Sequence, residues 1–422
     1  MFDESIVGNL SGSLRASARG LEIIDQHRIK RGWKRQASIW YETALTTLAT
    51  LKRFWQREPV SRESFVRLCE AVGARWQDIV DQTTLSPLVK VWDGVPDVSV
   101  FYGRTAELAS LTQWMIGDTS TRCRVIALLG MGGIGKTLLV AKLAEQIQTH
   151  FECLIWRSLL STVPAGMFIN ELIQFLTDDS ELTIPDSLDS KISCLINCLE
   201  QRRSLLVLDQ LETILSNDGF AGQYQEAHKG YSELLRRVGQ ESHNSCLVLT
   251  SREKTPEIAQ LEGVNLPVRS LQLKGLDDEA ARKLLRAKGL TEETQWGGLI
   301  QIYRGNPIML KMVAATIGDS WNGNVSEFLR NSGTIVTGDL RRFIEVLFSR
   351  LSSLEKQVTI QLASTTEPMS FLTLQQALEQ VSPSNLYESV ESLVRRSFLE
   401  KSSAGFTLPP VVREYINCQL GE

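Results

Sequence analysis

Residues 125 to 140 read Val-Ile-Ala-Leu-Leu-Gly-Met-Gly-Gly-Ile-Gly-Lys-Thr-Leu-Leu-Val, and this stretch carries the clearest chemistry in the 422-residue chain. Gly130 and Gly135 bracket four residues, and Lys136 and Thr137 follow at once. Glycines 130, 132, 133 and 135 let a backbone turn sharply and aim successive N–H groups at one anion, with Ile134 as the sole bulky residue among the last four. The lysine is long enough for β and γ phosphates, and the threonine hydroxyl is a magnesium ligand. An apolar strand (Val125 to Leu129) must precede this loop, and a helix whose apolar face holds Leu138, Leu139, Val140 and Leu143 must follow it. The helix N-terminus adds its own partial positive charge. The expected ligand is a nucleoside triphosphate or its diphosphate.

Two later strands supply the remaining charged groups. Leu205-Leu206-Val207-Leu208-Asp209 is an apolar run ending in a carboxylate, which places Asp209 at the crevice beyond a buried strand, holding magnesium-bound water. Gln210 stands where a second acid would help hydrolysis, so Glu212 is the nearest carboxylate able to polarise an attacking water. Cys246 to Thr250 forms another strand and leads into Ser251-Arg252, whose guanidinium is placed to contact a γ-phosphate. With Val268 to Leu273 as a further strand, the alternation of strands and helices predicts a parallel doubly wound sheet.

The chain is long enough for about two to four domains. It has no run approaching a membrane span, and Met1 to Leu10 carries Asp3 and Glu4 with no apolar core, so no secretory signal is expected. Seven scattered cysteines form no C-x-x-C pair; Cys194 and Cys198 are expected to pack on a helix, and a reducing cytoplasm fits best. Net charge is −4, yet residues 10 to 58 hold ten Lys and Arg against four acids.

From residue 14 to 82 the pattern predicts a small all-helical domain. Thr46-Thr47 starts a short helix with Leu48, Leu51 and Trp55 on one face; Ser61 caps the next, whose stripe is Phe65, Leu68, Cys69 and Val72, with Gly73 as its stop. This suggests a helix-turn-helix, in which Lys52, Arg53, Gln56 and Arg57 either face DNA through residues 46–57 or solvate a protein-interaction module. Residues 83–98 read as a linker. Beyond Asp277 the pattern turns helical, with Ala280, Leu284 and Leu285 on one stripe, a helix opening at Pro307, and a final unit with a hairpin at Phe398 to Leu408.

In this order the motifs resemble the STAND class of signal-transduction ATPases, of the NB-ARC type related to AAA+ proteins. FYGRTAEL resembles that family's adenine-side motif, GMGGIGKT its Walker A, LLVLDQLE its Walker B, LVLTSR its sensor 1 and RGNPIMLKMVA its Gly-x-Pro motif. TLATLKRFWQRE and ESFVRLCEAVGARWQDIV resemble the helix-turn-helix-like domain ahead of some bacterial members. The resemblance implies an N-terminal domain (1–82), the linker (83–98), an αβα nucleotide-binding domain (99–275), a small helical domain (276–338) and a winged helix (339–422). It implies that Phe101, Tyr102 and Arg104 serve the adenine side, Pro307 packs on the base, Lys136 neutralises phosphates, Thr137 and Asp209 serve Mg2+, and Arg252 senses the γ-phosphate of ATP. The nucleotide is then mainly a switch, closed with ADP and rearranging with ATP for self-assembly or a protein partner, with weak hydrolysis. A DNA-binding regulator and a brisk housekeeping NTPase are the alternatives. Two departures stand out. Leu408-Pro409-Pro410 lies where such proteins carry a histidine on the ADP β-phosphate, and no repeat domain follows, so the sensor is expected on another polypeptide or absent in a shortened member.

Overall fold

The structure, a computed structural model, describes residues 13–81, 89–92, 94–117, 122–177, 184–217, 219–331 and 335–421. Met1 to Leu10 and residues 83–88 of the expected linker lie outside the described residues.

Its centre is a six-stranded parallel sheet made of β1 (Val89–Trp92), β2 (Val125–Leu129), β3 (Cys153–Ser158), β4 (Ser204–Asp209), β5 (Cys246–Ser251) and β6 (Val268–Gln272), in the order β1-β3-β4-β5-β2-β6. All of β2, β4 and β5 is buried, which explains why these strands read as unbroken apolar runs: helices cover both faces and leave no solvent side to alternate. One face carries a core around Phe168, Leu172, Leu195 and Tyr231, and the other a core around Leu139, Leu143, Trp156 and Val248. Strand β1 corrects the linker expectation. Four residues at Val89–Trp92 pair with Cys153–Trp156 at the sheet edge, where Trp92 meets Trp156 with ring centroids 5.8 Å apart. So short an edge strand leaves little periodicity to detect.

Residue order in the sheet positions the chemistry. Strand β5 lies between β4 and β2, with Thr250 opposite Leu128, so the carboxyl ends carrying Asp209, Thr250 and the glycine loop are neighbours. Beyond Gly275, apolar residues from Leu276 to Ile416 form one continuous core, with Trp296, Tyr303 and Phe328 fully buried. The expected hairpin is present as Glu400–Ser402 paired antiparallel with Gly405–Thr407.

The N-terminal residues form helices Ala18–Lys30, Ser38–Thr43, Leu48–Trp55, Arg62–Ala71 and Trp76–Ile79. They are not wholly helical, because Ser13–Leu14 pairs with Val60–Ser61. Thr47 and Ser61 cap their helices as expected, but Leu51 and Phe54, rather than Leu48 and Trp55, form the buried face. Trp55 instead stands edge-on to Trp40 with Arg35 over its ring. Arg57 donates to the Ala16 carbonyl at 3.1 Å, and Arg53 donates to the Pro59 carbonyl, so two of the four named basic-face residues are tied to their own domain.

Gly275 joins the sheet to the helical unit in contact with Arg304, and a Cβ there would stand 1.8 Å from the Arg304 carbonyl oxygen. Gly275→Ala should destabilise the protein by about 1–3 kcal/mol through overpacking. Gly318, inside the helix Pro307–Trp321 with nothing within 4 Å of a Cβ, should tolerate alanine or gain up to about 1 kcal/mol. Denaturant midpoints of the two variants measured side by side check both signs.

Candidate functional site

The glycine loop folds because three of its residues adopt backbone angles that side chains resist: φ is +148° at Gly130, +73° at Gly133 and +100° at Gly135. The helix Lys136–Ile147 starts directly after the last of these, so its unpaired N–H groups open toward the loop. Lys136 is buried, and its Nζ donates to the carbonyls of Gly130 (2.8 Å) and Met131 (3.2 Å). Burial depresses its ammonium to about 8, against a partial counterpull from Glu212 and Asp209.

Asp209 ends β4 as expected. Its Oδ1 accepts from Thr137 Oγ1 at 2.9 Å and from Thr250 Oγ1 at 2.6 Å, while the Gln210 N–H donates to Thr250 Oγ1 at 2.9 Å. Burial raises the Asp209 carboxyl above its ordinary value, and the hydrogen bonds from Thr250, Thr137 and Gln210 hold it back. Gln210 sits in the left-handed region at φ +65°, an unfavourable position for a residue with a side chain. Glu212 and Arg252 are joined: Arg252 Nε lies 2.9 Å from Glu212 Oε1, and the Arg252 N–H donates to Glu212 Oε2 at 3.3 Å.

Together these groups line one side of a cleft of about 730 Å³. Gly132, Gly133, Ile134, Gly135, Lys136, Thr137, Leu138, Glu212 and Arg252 face it from the sheet side. Phe101, Tyr102 and Arg104 also line it, as do Leu276, Pro307, Ile308 and Lys311 from the helical unit. Gly130 and Asp209 lie just behind, acting through Lys136 and Thr137. Arg104 lines the cleft, but its guanidinium is committed to protein groups: the carbonyls of Ile134 (2.9 Å) and Gly275 (3.3 Å) and the carboxylate of Glu107 (3.1 Å).

Sequence reading did not single out Asn306. Its Oδ1 caps the helix Pro307–Trp321 through Ile308 N–H, and its Nδ2 donates to the Gly132 carbonyl at 3.0 Å. An Asn before a helix-opening proline is a capping signal, although its second bond to the loop has none. Leu408, by contrast, is buried in the C-terminal core and does not line the cleft.

The NB-ARC domain family matches residues 104–295. Over those residues the chain is similar to an NB-ARC domain. The chain is 38% identical to an uncharacterized WD repeat-containing protein of Nostoc sp., over 97% of this chain and 36% of that protein. It thus spans little more than a third of the length of the curated relative it matches. Among solved structures it is similar to a STAND protein with a tetratricopeptide repeat sensor from Pyrococcus horikoshii, at 18% identity and a TM-score of 0.40, over 77% of this chain and 44% of that one. It is also similar to a Walker-type ATPase of Pyrococcus abyssi, at 14% identity and a TM-score of 0.49, over 75% of this chain and 96% of that one. The NB-ARC match takes in the glycine loop and most of the residues that line the cleft.

Magnesium fits the donors present. Thr137 and Asp209 offer hard oxygens 2.9 Å apart beside the phosphate loop. Among the described residues no group of three or more His, Cys, Asp or Glu converges, so a cation there would take its other ligands from phosphate and water.

Lys136 also gives the ligand-free fold a pH signature. Its folded value of about 8 lies below the ordinary 10.5, so between these the unfolded chain binds more protons. The resulting penalty is full below pH 8 and is lifted as pH rises through 10.5. Lys136→Met should therefore stabilise the ligand-free protein relative to wild type by more at about pH 7 than at about pH 10, as read by denaturant titration.

Proposed function

We propose that this chain is an ATP/ADP switch of the STAND class with slow hydrolysis, in which the bound nucleotide controls how the helical units sit on the sheet. The observation that carries this reading is the bonding of the glycine loop to the helical unit: Asn306 Nδ2 holds the Gly132 carbonyl and the Ile308 N–H reaches the Gly133 carbonyl at 3.4 Å. A ligand in the cleft would touch the loop and the start of the helix Pro307–Trp321 at once, so its phosphates would bias the arrangement of both.

In this reading Phe101, Tyr102 and Pro307 form the base end, Lys136 and the loop amides hold phosphates, and Thr137 and Asp209 hold Mg2+. When bound, magnesium would supply charge neutralisation for the phosphates. Arg252 meets the γ-phosphate by exchanging its Glu212 partner for it. Slow turnover follows from Gln210, which presents no acid where a second carboxylate would help hydrolysis. In this reading the four domains span 1–82, 99–275, 276–338 and 339–422, joined by 83–98 with its edge strand Val89–Trp92, the last domain being a winged helix and the first the output module. The Nostoc relative, whose name carries WD repeats, supports a protein partner or assembly over DNA. Free thiols at all seven cysteines fit a cytoplasmic setting.

The test is to purify the protein without added nucleotide, denature it and identify what it releases. Stoichiometric ADP is the expected result; an empty protein that binds neither ATP nor ADP would overturn the reading. Lys136→Ala should weaken both nucleotides by at least about tenfold, the value of a charge-assisted bond, with an unchanged far-UV spectrum. Retained affinity would remove Lys136 from the phosphate site.

A further inference from the structure

Arg252 is followed immediately by Glu253, whose carboxylate is 2% exposed. Glu253 Oε1 accepts from Arg350 Nη2 at 2.9 Å and from Arg396 Nη1 at 2.6 Å, and Oε2 accepts the Gly222 N–H at 3.1 Å. Arg396 is 4% exposed and also donates to Glu355 Oε1 at 2.9 Å and to the Gly219 carbonyl at 2.7 Å. Ser392 donates to Glu355 Oε1 at 2.6 Å and accepts the Ala221 N–H at 2.6 Å. Glu253 and the 219–222 turn belong to the sheet, whereas Arg350, Glu355, Ser392 and Arg396 belong to the C-terminal unit. The cluster is therefore a contact between two bodies, buried except for Arg350 at its rim.

Its physical character is bistable. Two carboxylates and two guanidiniums satisfy one another while packed, but removing one member leaves an uncompensated buried charge. Separating the surfaces as a whole rehydrates all four. The contact thus favours fully docked or fully parted arrangements over a gradual slide.

A short path leads from it to the cleft. Arg350 Nη2 also donates to the Glu212 carbonyl at 3.0 Å, and the Glu212 carboxylate is the group that holds Arg252. Leu347, in the helix Gly338–Ser349 that Arg350 follows, lies against the loop: a Cβ on Gly132 would stand 3.1 Å from its Cδ2. Any anion that draws Arg252 away from Glu212 disturbs the turn Leu211–Ile214 to which Arg350 is tied.

We propose that Glu253, with Arg350 and Arg396, is the latch that docks the C-terminal unit on the nucleotide-binding sheet, and that the third phosphate of a nucleoside triphosphate releases it through Arg252 and Glu212. The trigger half rests on the nucleotide-switch reading; the latch half stands on the buried cluster alone. This contact supplies a lock in a chain whose Leu408-Pro409-Pro410 segment offers no imidazole.

Hydrogen–deuterium exchange on the full chain tests it, comparing wild type, Glu253→Gln and Arg350→Ala, each without nucleotide and with ADP. Both variants should raise exchange at residues 219–222 and 389–399 by at least about tenfold, as loss of a buried ionic partner implies, while Phe65 to Cys69 stays protected. Unchanged exchange in both variants overturns the latch. Should Glu253→Gln fail to fold, Arg350→Ala decides, since its side chain is 18% exposed and sits at the rim. In wild type, a non-hydrolysable ATP analogue should raise exchange at the same segments relative to ADP; equal exchange overturns the trigger. A wild type that binds no nucleotide refutes the switch reading, and the nucleotide-free comparison still decides the latch.

Discussion

A glycine loop shaped for phosphate leaves a row of carbonyls pointing into the protein, and each of these must find a donor. In this chain the donors come from separate parts of the sequence. Lys136 satisfies Gly130 and Met131, Asn306 satisfies Gly132, the Ile308 amide satisfies Gly133, and Arg104 satisfies Ile134. One short backbone segment thereby gathers the strand before it, the segment ahead of the helix Thr105–Ile116 and the start of the helix Pro307–Trp321 around a single cleft. The cleft exists because the loop cannot be satisfied by its own helix alone.

The same constraint explains why charge is so concentrated there. Burial holds the Lys136 ammonium at a depressed value and the Asp209 carboxyl at a raised one, and neither is directly paired with the other. Asp209 is occupied by two hydroxyls, and Lys136 by two carbonyls. Such groups are poised for a ligand that brings its own charges, since phosphate would restore the ammonium and a cation the carboxylate. Around them, Glu212 and Arg252 neutralise each other, and Glu253 and Glu355 do the same with Arg350 and Arg396. Charge balance thus extends in three steps from the phosphate loop to the C-terminal unit.

At the N-terminus several basic side chains bond to groups of their own domain. Arg28 reaches both Asp25 and the Trp33 carbonyl, Arg35 pairs with Asp25, and Arg57 crosses to Ala16. A run rich in arginine reads as an electropositive surface, yet a small domain with few helices uses those long donors to close its own loops.

The sequence alone determined the sheet strands around the cleft, the loop and the positions of Lys136, Thr137, Asp209 and Arg252, because each depends on local rules: apolar runs for buried strands, glycines for a forbidden φ, and charged residues at strand ends. Capping by Thr47 and Ser61 was legible for the same reason. What only the tertiary structure decided are contacts between segments far apart in the chain. Strand β1 emerges inside an expected linker because its pairing partner is Cys153–Trp156. Arg104 turns to carbonyls 30 and 171 residues away. Asn306 and Glu253 look like an ordinary cap and an ordinary loop acid until the fold brings Gly132 to one and Arg396, 143 residues on, to the other. Periodicity and propensity report on neighbours within a few residues, whereas the satisfaction of buried polar groups is settled only when the whole chain has folded around them.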